Sequence, residues 1–333
     1  MKRYFELHRN NRVRALLGTL GIGVGIALAF PASDAIAQAF PSKPVRMIVP
    51  NGAGSPTDIV ARLLGVKYTE YWGQPAITDN RPGATGLIGA EALAKAPPDG
   101  HTMILMAMTQ LIGTLMYQRY QLATEFAPVS MVGTTPFAIA IPVSLPVKTI
   151  PEWIAYVKAR PGQLMYSSSG QWGSSHLCLE AFNKVAGLQM THVPHPTSPA
   201  AMNAVVAEQV VAFCPAGPTI QTYLPGGKIR VLGSTYKKPS RLLPGIPPIA
   251  DSVPGFEMLG WYGLEMHLKT PSELVNRVNA DTVRALRQPD IQEKLFFMGV
   301  EAVGSTPAEF AAFLRSESDR WSKLLKDRNA KPE

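Results

Sequence analysis

An α/β fold built as two lobes is the class this sequence predicts, on three observations. Short apolar runs of strand length alternate with amphipathic stretches, the pattern of layered α/β domains. Helix starts recur as a capping hydroxyl, a proline at the first helical position and an acid soon after. Proline and glycine cluster at Pro142–Pro151 and again at Pro239–Pro254, where the chain could leave one lobe and later return to it.

The first 39 residues stand outside that fold. Lys2, Arg3, Arg9, Arg12 and Arg14 form a basic head, the run ALLGTLGIGVGIALAF follows, and Ala37-Gln38-Ala39 offers a small-x-small cleavage site before Phe40. An uncleaved anchor is the competing reading, but the run is about 16 residues and glycine-rich, short for a bilayer span. No cysteine directly follows it, which argues against a lipoprotein anchor. The 333 residues less these 39 leave 294. That is enough for two lobes of about 120–170 residues. The predicted division is a leader over 1–39, a discontinuous first lobe over 40–141 and 250–333, and a second lobe over 142–249.

The net charge of +8 falls to about +5 once the leader's five basic and two acidic residues are removed. Its longest cationic tract is Lys237-Lys238, so nucleic-acid binding is disfavoured, while small anions remain favoured.

Strands are predicted at Val45–Pro50, His101–Met108, Phe137–Ile141, Leu164–Ser167, Val210–Cys214 and Ile229–Ser234, each apolar and all but His101–Met108 closed by Gly, Pro or Ser. Helix starts are predicted at Ser55-Pro56-Thr57-Asp58, Thr270-Pro271-Ser272-Glu273 and Thr306-Pro307-Ala308-Glu309. After the last, Phe310, Phe313, Leu314, Trp321 and Leu325 make a core-facing stripe. Cys178 and Cys214 are the only cysteines, and a disulfide and a pair of buried thiols both remain open. No Cys/His grouping has metal spacing, so no metal and no cofactor is expected.

The stretch Gly52-Ala53-Gly54-Ser55-Pro56-Thr57-Asp58 joins a strand to a helix and invites three readings. A nucleotide cradle lacks both G-x-x-x-x-G-K-[ST] and G-x-G-x-x-G. A nucleophile turn lacks G-x-S-x-G, and Pro56 removes a donor that an oxyanion hole would need. Anion capture by backbone N–H groups and hydroxyls at a helix start survives. A second segment, Tyr166 to Ser175 (YSSSGQWGSS), repeats the strand–mouth–helix logic before HLCLEAFNKV. His176 beside Ser174 and Ser175 could suggest a hydrolase, yet no orienting acid is evident and no catalytic residue is assigned.

These blocks resemble the Bug family of extracytoplasmic solute receptors, the TctC-like components of tripartite tricarboxylate transport. The resemblance spans nearly all of Phe40 to Leu325. It is carried by FPSKPVR, VPNGAGSPTDIVARLL, DNRPGATGLIGAEALAKAPPDGHT, KARPGQLMYSSSGQWGSSHL, VPHPTSPAAMNAVVAEQV, LPGIPPIADSVPGFE, WYG and GSTPAEFAAFL.

It implies a two-lobed periplasmic binding protein of type II, a Venus-flytrap with a central cleft, working as a monomer in the periplasm after cleavage near Ala39-Phe40. It implies Ala53, Ser55 and Thr57 at one carboxylate, and Ser167, Ser169, Gln171 and Ser175 at the opposing mouth. Asp58 is expected to stabilise its own helix start, because it would repel an anion. Asn80 to Gly86 is expected to form a tight turn bordering the cleft. The implied partners are a small organic carboxylate and an inner-membrane tripartite tricarboxylate-type permease. A ligand sensor for a signalling partner and a secreted α/β hydrolase are the alternatives.

Departures from the family pattern refine the ligand. Asn51 stands for a common Phe, Ser55 for Gly, His195-Pro196-Thr197-Ser198 for Tyr-Lys-Gly-Gly, and Ala204 and Val211 for Asp. Loss of those carboxylates disfavours an amino acid and favours a dicarboxylate. Trp172 in the second mouth offers a flat surface for an aromatic diacid such as terephthalate, or else packs against its own helix. Pro142 and Gly260-Trp261-Tyr262-Gly263 are expected near the lobe crossings.

Overall fold

The computed structural model describes residues 40–328 and residue 330. The predicted leader therefore lies outside the described residues. From the N-terminal end run β1 (Val45–Val49), α1 (Pro56–Trp72), β2 (Ala76–Asn80), α2 (Leu87–Ala94), β3 (Thr102–Ala107), α3 (Met108–Tyr117), α4 (Leu122–Glu125) and β4 (Phe126–Pro136). A second group follows: β5 (Ala138–Pro142), α5 (Ile150–Lys158), β6 (Met165–Ser168), α6 (Ser174–Ala186), β7 (Thr191–Pro194), α7 (Ser198–Val206), β8 (Ala212–Phe213), α8 (Gly217–Tyr223) and β9 (Ile229–Ser234). The chain closes with β10 (Leu259–His267), α9 (Ser272–Leu286), α10 (Pro289–Phe297), β11 (Glu301–Ala302) and α11 (Pro307–Asp327).

Two mixed sheets result, ordered β11-β4-β10-β3-β1-β2 and β7-β6-β8-β5-β9, the bilobed fold of type II periplasmic binding proteins. β1 and β3 read as nearly unbroken apolar runs because helices cover both faces of their sheet. The first sheet separates two apolar clusters, one around Ile104, Met106, Trp261 and Phe310, the other around Val45, Val60, Leu264 and Leu286.

β4 and β10 escaped the sequence reading. β4 carries Pro128 and Gly133, which read as loop residues. It is a strand because β10 pairs along its whole length, with register shifts beside Tyr262/Gly263 and Leu264/Glu265, the second of them next to Pro128's partner Glu265.

The chain changes sheet at Phe137 and returns between Ser234 and Leu259. Buried Thr235 joins both crossings: its hydroxyl accepts from Phe137 N–H at 3.0 Å and donates to the Met258 carbonyl at 2.6 Å. The segments expected near the crossings, Pro142 and 260–263, lie close to these points and not at them. Pro142 ends β5, which pairs with β8 and β9, and Gly260–Gly263 lies inside β10.

The N-terminal cap of α1 forms as predicted, Ser55 Oγ accepting from Asp58 N–H at 3.2 Å. Thr306 and Glu309 make a reciprocal capping box on α11. Thr270 does not cap α9. Its N–H is turned back onto His267, the helix opens at Ser272, and its hydroxyl is buried without a partner. The α11 stripe packs as expected, and Gly263 permits its approach, since a Cβ there would overlap the Phe310 ring. Cys178 of α6 and Cys214 after β8 form a disulfide, with Cα atoms 6.1 Å apart.

Candidate functional site

Strand order puts the two predicted mouths in equivalent positions. β1 runs parallel to β2 on one side and β3 on the other, as β6 does to β7 and β8. The chain winds to one side of the first strand and then to the other. The carboxyl ends of β1 and β6 are therefore topological switch points, where open α/β sheets leave a crevice. The first mouth, 50–55, leads from β1 into α1. The second, 169–173, leads from β6 into α6.

Asp58 organises the first mouth. Its buried carboxylate accepts from Gly54 N–H and Arg62 Nε through one oxygen and from Asn80 Nδ2 through the other, each at 2.9 Å. Asn80 Nδ2 also donates to the Asn51 carbonyl at 3.0 Å, tying both ends of the loop to β2. Burial alone would push the Asp58 carboxyl up; the hydrogen bonds from Arg62, Gly54 and Asn80 and the Arg62 charge outweigh it and hold it below the ordinary range.

Around this hub Ala53 is exposed, Ser55 half-buried and Thr57 buried. The first-turn N–H groups of α1 have no intrahelical acceptor. The turn after β2 is tight, with Gly83, Ala84, Thr85 and Gly86 all at positive φ.

At the second mouth Ser169 and Ser175 meet, their hydroxyls 2.9 Å apart, and Ser175 Oγ also accepts the Ser169 N–H. Gln171 is exposed and Trp172 half-buried. α6 is preceded by Gly173 at its cap position, so no side-chain cap serves the N–H groups of its first turn. Ser167 is apart from this group: it is fully buried beneath the loop, and its hydroxyl donates to the Ala201 carbonyl at 3.0 Å.

The sequence reading singled out His176 for its place beside Ser174 and Ser175 and missed the cluster it forms beneath this mouth. His176 Nδ1 accepts the Trp172 N–H at 2.9 Å, and the His176 and His192 rings stack at 3.8 Å. His192 Nε2 lies 2.6 Å from Ser168 Oγ. The parallel register that sets Tyr166 against His192 creates this cluster, and no spacing in the chain announces it. His195 extends it: its N–H bonds the Ser168 carbonyl at 2.9 Å, while its ring Nε2 is enclosed without a partner.

Among the described residues no hydrogen bond or ion pair joins the two mouths. A cavity of about 950 Å³ lies elsewhere, between α3, α4 and α11. Its lining mixes Arg119, Arg315 and Lys326 with Glu125 and Asp319, a poor match for a dianion.

The family of tripartite tricarboxylate transporter receptors matches this chain over residues 60–330. A UPF0065 protein from the tcbD–tcbE intergenic region of Pseudomonas sp. strain P51 is 33% identical over 318 residues, covering 93% of this chain and 95% of its own. Among solved structures, Rpa4515 of R. palustris with adipate is 31% identical, with a TM-score of 0.72 over 86% of this chain and 97% of that one. MatC of Rhodopseudomonas palustris with bound malate is 27% identical, with a TM-score of 0.70 over 86% of this chain and 100% of that one.

Proposed function

The chain belongs to the tripartite tricarboxylate transporter receptor family, and from that premise we propose that it captures an organic dicarboxylate, one carboxylate at each mouth. It is a periplasmic solute receptor, not an enzyme, and its ligand is a small organic carboxylate. The observation that carries the finer reading is the equivalence of the mouths: each follows the middle one of its sheet's three adjacent parallel strands and opens a helix.

Ala53, Ser55 and Thr57 form the first set of contacts, and Ser169, Gln171, Trp172 and Ser175 the second. Ser167 supports the second set from below. Charge-assisted hydrogen bonds contribute about 1.5–3 kcal/mol each, so three or four support micromolar capture after the cost of association. Ala204 is buried beside Ala201 and Val205 and supplies no carboxylate for an ammonium group, which disfavours amino acids. Trp172 favours an aromatic diacid, terephthalate being the representative.

Lobe limits are proposed to follow strand membership, with the first lobe ending and resuming around Phe137 and Met258. Ligand held from both sides favours the closed form only through the difference in affinity between open and closed states. The closed receptor then delivers its load to an inner-membrane permease of the tripartite type.

Thermal-shift measurement of the mature protein with adipate, malate, terephthalate, benzoate and hexanoate tests the reading. Ligand at about 100 times Kd stabilises the folded state by about 2.7 kcal/mol. Diacids are expected to raise Tm more than monoacids, and Trp172→Ala is expected to weaken terephthalate more than adipate. Equal responses to monoacids and diacids would remove the two-mouth reading. A Trp172→Ala variant that keeps terephthalate unchanged would remove the aromatic one.

A further inference from the structure

Trp172 has φ 55, in the left-handed region that a bulky residue enters only when its surroundings hold it there. The loop's other polar anchor, Ser168 Oγ, accepts from Gly170 N–H at 3.2 Å and faces the Gly170 carbonyl at 2.9 Å. Both anchors end on an imidazole, and the two imidazoles are stacked on one another.

We propose that His176 and His192 are the positioning pair of the second mouth, holding residues 168–175 in their ligand-receiving shape through Trp172 N–H and Ser168 Oγ, and doing so only while His176 is neutral. This deepens the dicarboxylate reading above and rests on it.

The proton positions follow from the partners. His176 Nδ1 accepts, so its proton sits on Nε2. In the arrangement proposed, the single Ser168 hydroxyl proton goes to the Gly170 carbonyl and His192 Nε2–H donates to Ser168 Oγ. Protonating His176 would set an Nδ1–H against the Trp172 N–H, donor against donor. It would also place a cation on the His192 ring and nearer Arg328.

The surrounding groups all bear on that charge. Glu180 of α6 alone would favour it, but its carboxylate is committed to the Tyr166 hydroxyl at 2.6 Å and to Arg328 Nε at 2.8 Å. His195 adds a further imidazole beside His192. Burial, then Arg328, bring His176 down to about 4. Burial and His176 bring His192 to about 4, with Glu180 opposing and His195 adding.

The test compares His176→Asn, whose Oδ1 can stand in for Nδ1, with His176→Leu, which has no acceptor. Adipate affinity and hydrogen exchange of the 168–176 segment are both measured at pH 7.5. His176→Leu is expected to weaken adipate by about tenfold, the scale of one lost buried hydrogen bond, and to speed loop exchange. His176→Asn should stay near wild type in both. Exchange of the wild-type loop, corrected for intrinsic rates, should accelerate as pH falls from 6 to 4, whereas that of His176→Asn should not.

Asn behaving like Leu, Leu behaving like wild type, or acid acceleration surviving in Asn would each overturn the proposal. His192→Gln, which keeps a donor, against His192→Phe, which keeps only the stack, decides the same point if the Leu variant does not fold. Phe alone should release the loop, and equal behaviour overturns the pair's role. Because exchange is read without ligand, a wild type that binds none of the acids would defeat the dicarboxylate reading while leaving the positioning claim decided.

Discussion

Asp58→Asn isolates what the first mouth needs from a carboxylate. The side chain is 3% exposed, and all three of its partners are donors: Gly54 N–H, Arg62 Nε and Asn80 Nδ2. An amide of the same shape has one oxygen and one NH2, so one side must face donor against donor. If the NH2 replaces the oxygen shared by Gly54 and Arg62, two bonds are lost. If it replaces the other, Asn80 is released and with it the hold on the Asn51 carbonyl.

One broken buried bond costs about 1–3 kcal/mol, and the remaining bonds weaken without charge. The lost negative charge at the start of α1 adds about 0.3–1 kcal/mol. Arg62's side chain is 55% exposed, so its ion pair is discounted. The expected loss is therefore about 2–4 kcal/mol, read as a lower midpoint in urea unfolding with an unchanged slope.

The sign with pH follows from the direction of the shift. The folded-state pKa is held below 3.8, so Asp58 contributes stability above the ordinary range that is lost as pH falls through the folded value. Asp58→Asn should flatten that acid limb. It should also weaken diacid binding, because either orientation frees one anchor of the loop, Gly54 or Asn80. A variant within about 0.5 kcal/mol of wild type, the range of ordinary surface substitutions, would refute the hub.

Glu265 of β10 poses the opposite case, a fully buried carboxyl with neither oxygen partnered and a pKa raised by burial well above 4.5. The folded state holds a proton that the unfolded state releases, so stability should fall as pH rises from the ordinary glutamate range until the folded group itself ionises. Glu265→Gln should remove that slope in denaturant unfolding followed from pH 4 to 8. The Cys178–Cys214 disulfide spans 36 residues, for which loop-closure entropy gives about 4 kcal/mol. The Cys178→Ala/Cys214→Ala protein should lose most of that in urea unfolding, and reducing agent should leave its midpoint unchanged while lowering that of the wild type.

What the sequence disclosed is local chemistry. Ser55-Pro56-Thr57-Asp58 announces a helix start because cap, proline and acid act within one turn, and each sits where that logic puts it. The same logic failed at Thr270, where a turn from His267 took the backbone first. β4 was illegible because its prolines and glycine signal loop, and only pairing with β10 makes it a strand. The disulfide stayed open because spacing carries no information on the distance between α6 and the end of β8.

The mouths show where this boundary matters for function. Each could be read as a donor-rich turn, but a Gly/Ser turn with a helix cap is common and binds nothing by itself. What distinguishes these two is that β1 and β6 are each flanked by parallel neighbours on both sides, which opens a crevice at their carboxyl ends. The supporting residues divide in the same way. Asp58 lies within its own mouth's helix and could be assigned from sequence, whereas His192 reaches the second mouth only because β7 lies beside β6. Substitutions in the second mouth's support should therefore be sensitive to β6–β7 register, and those in the first to α1 and to the end of β2, which carries Asn80.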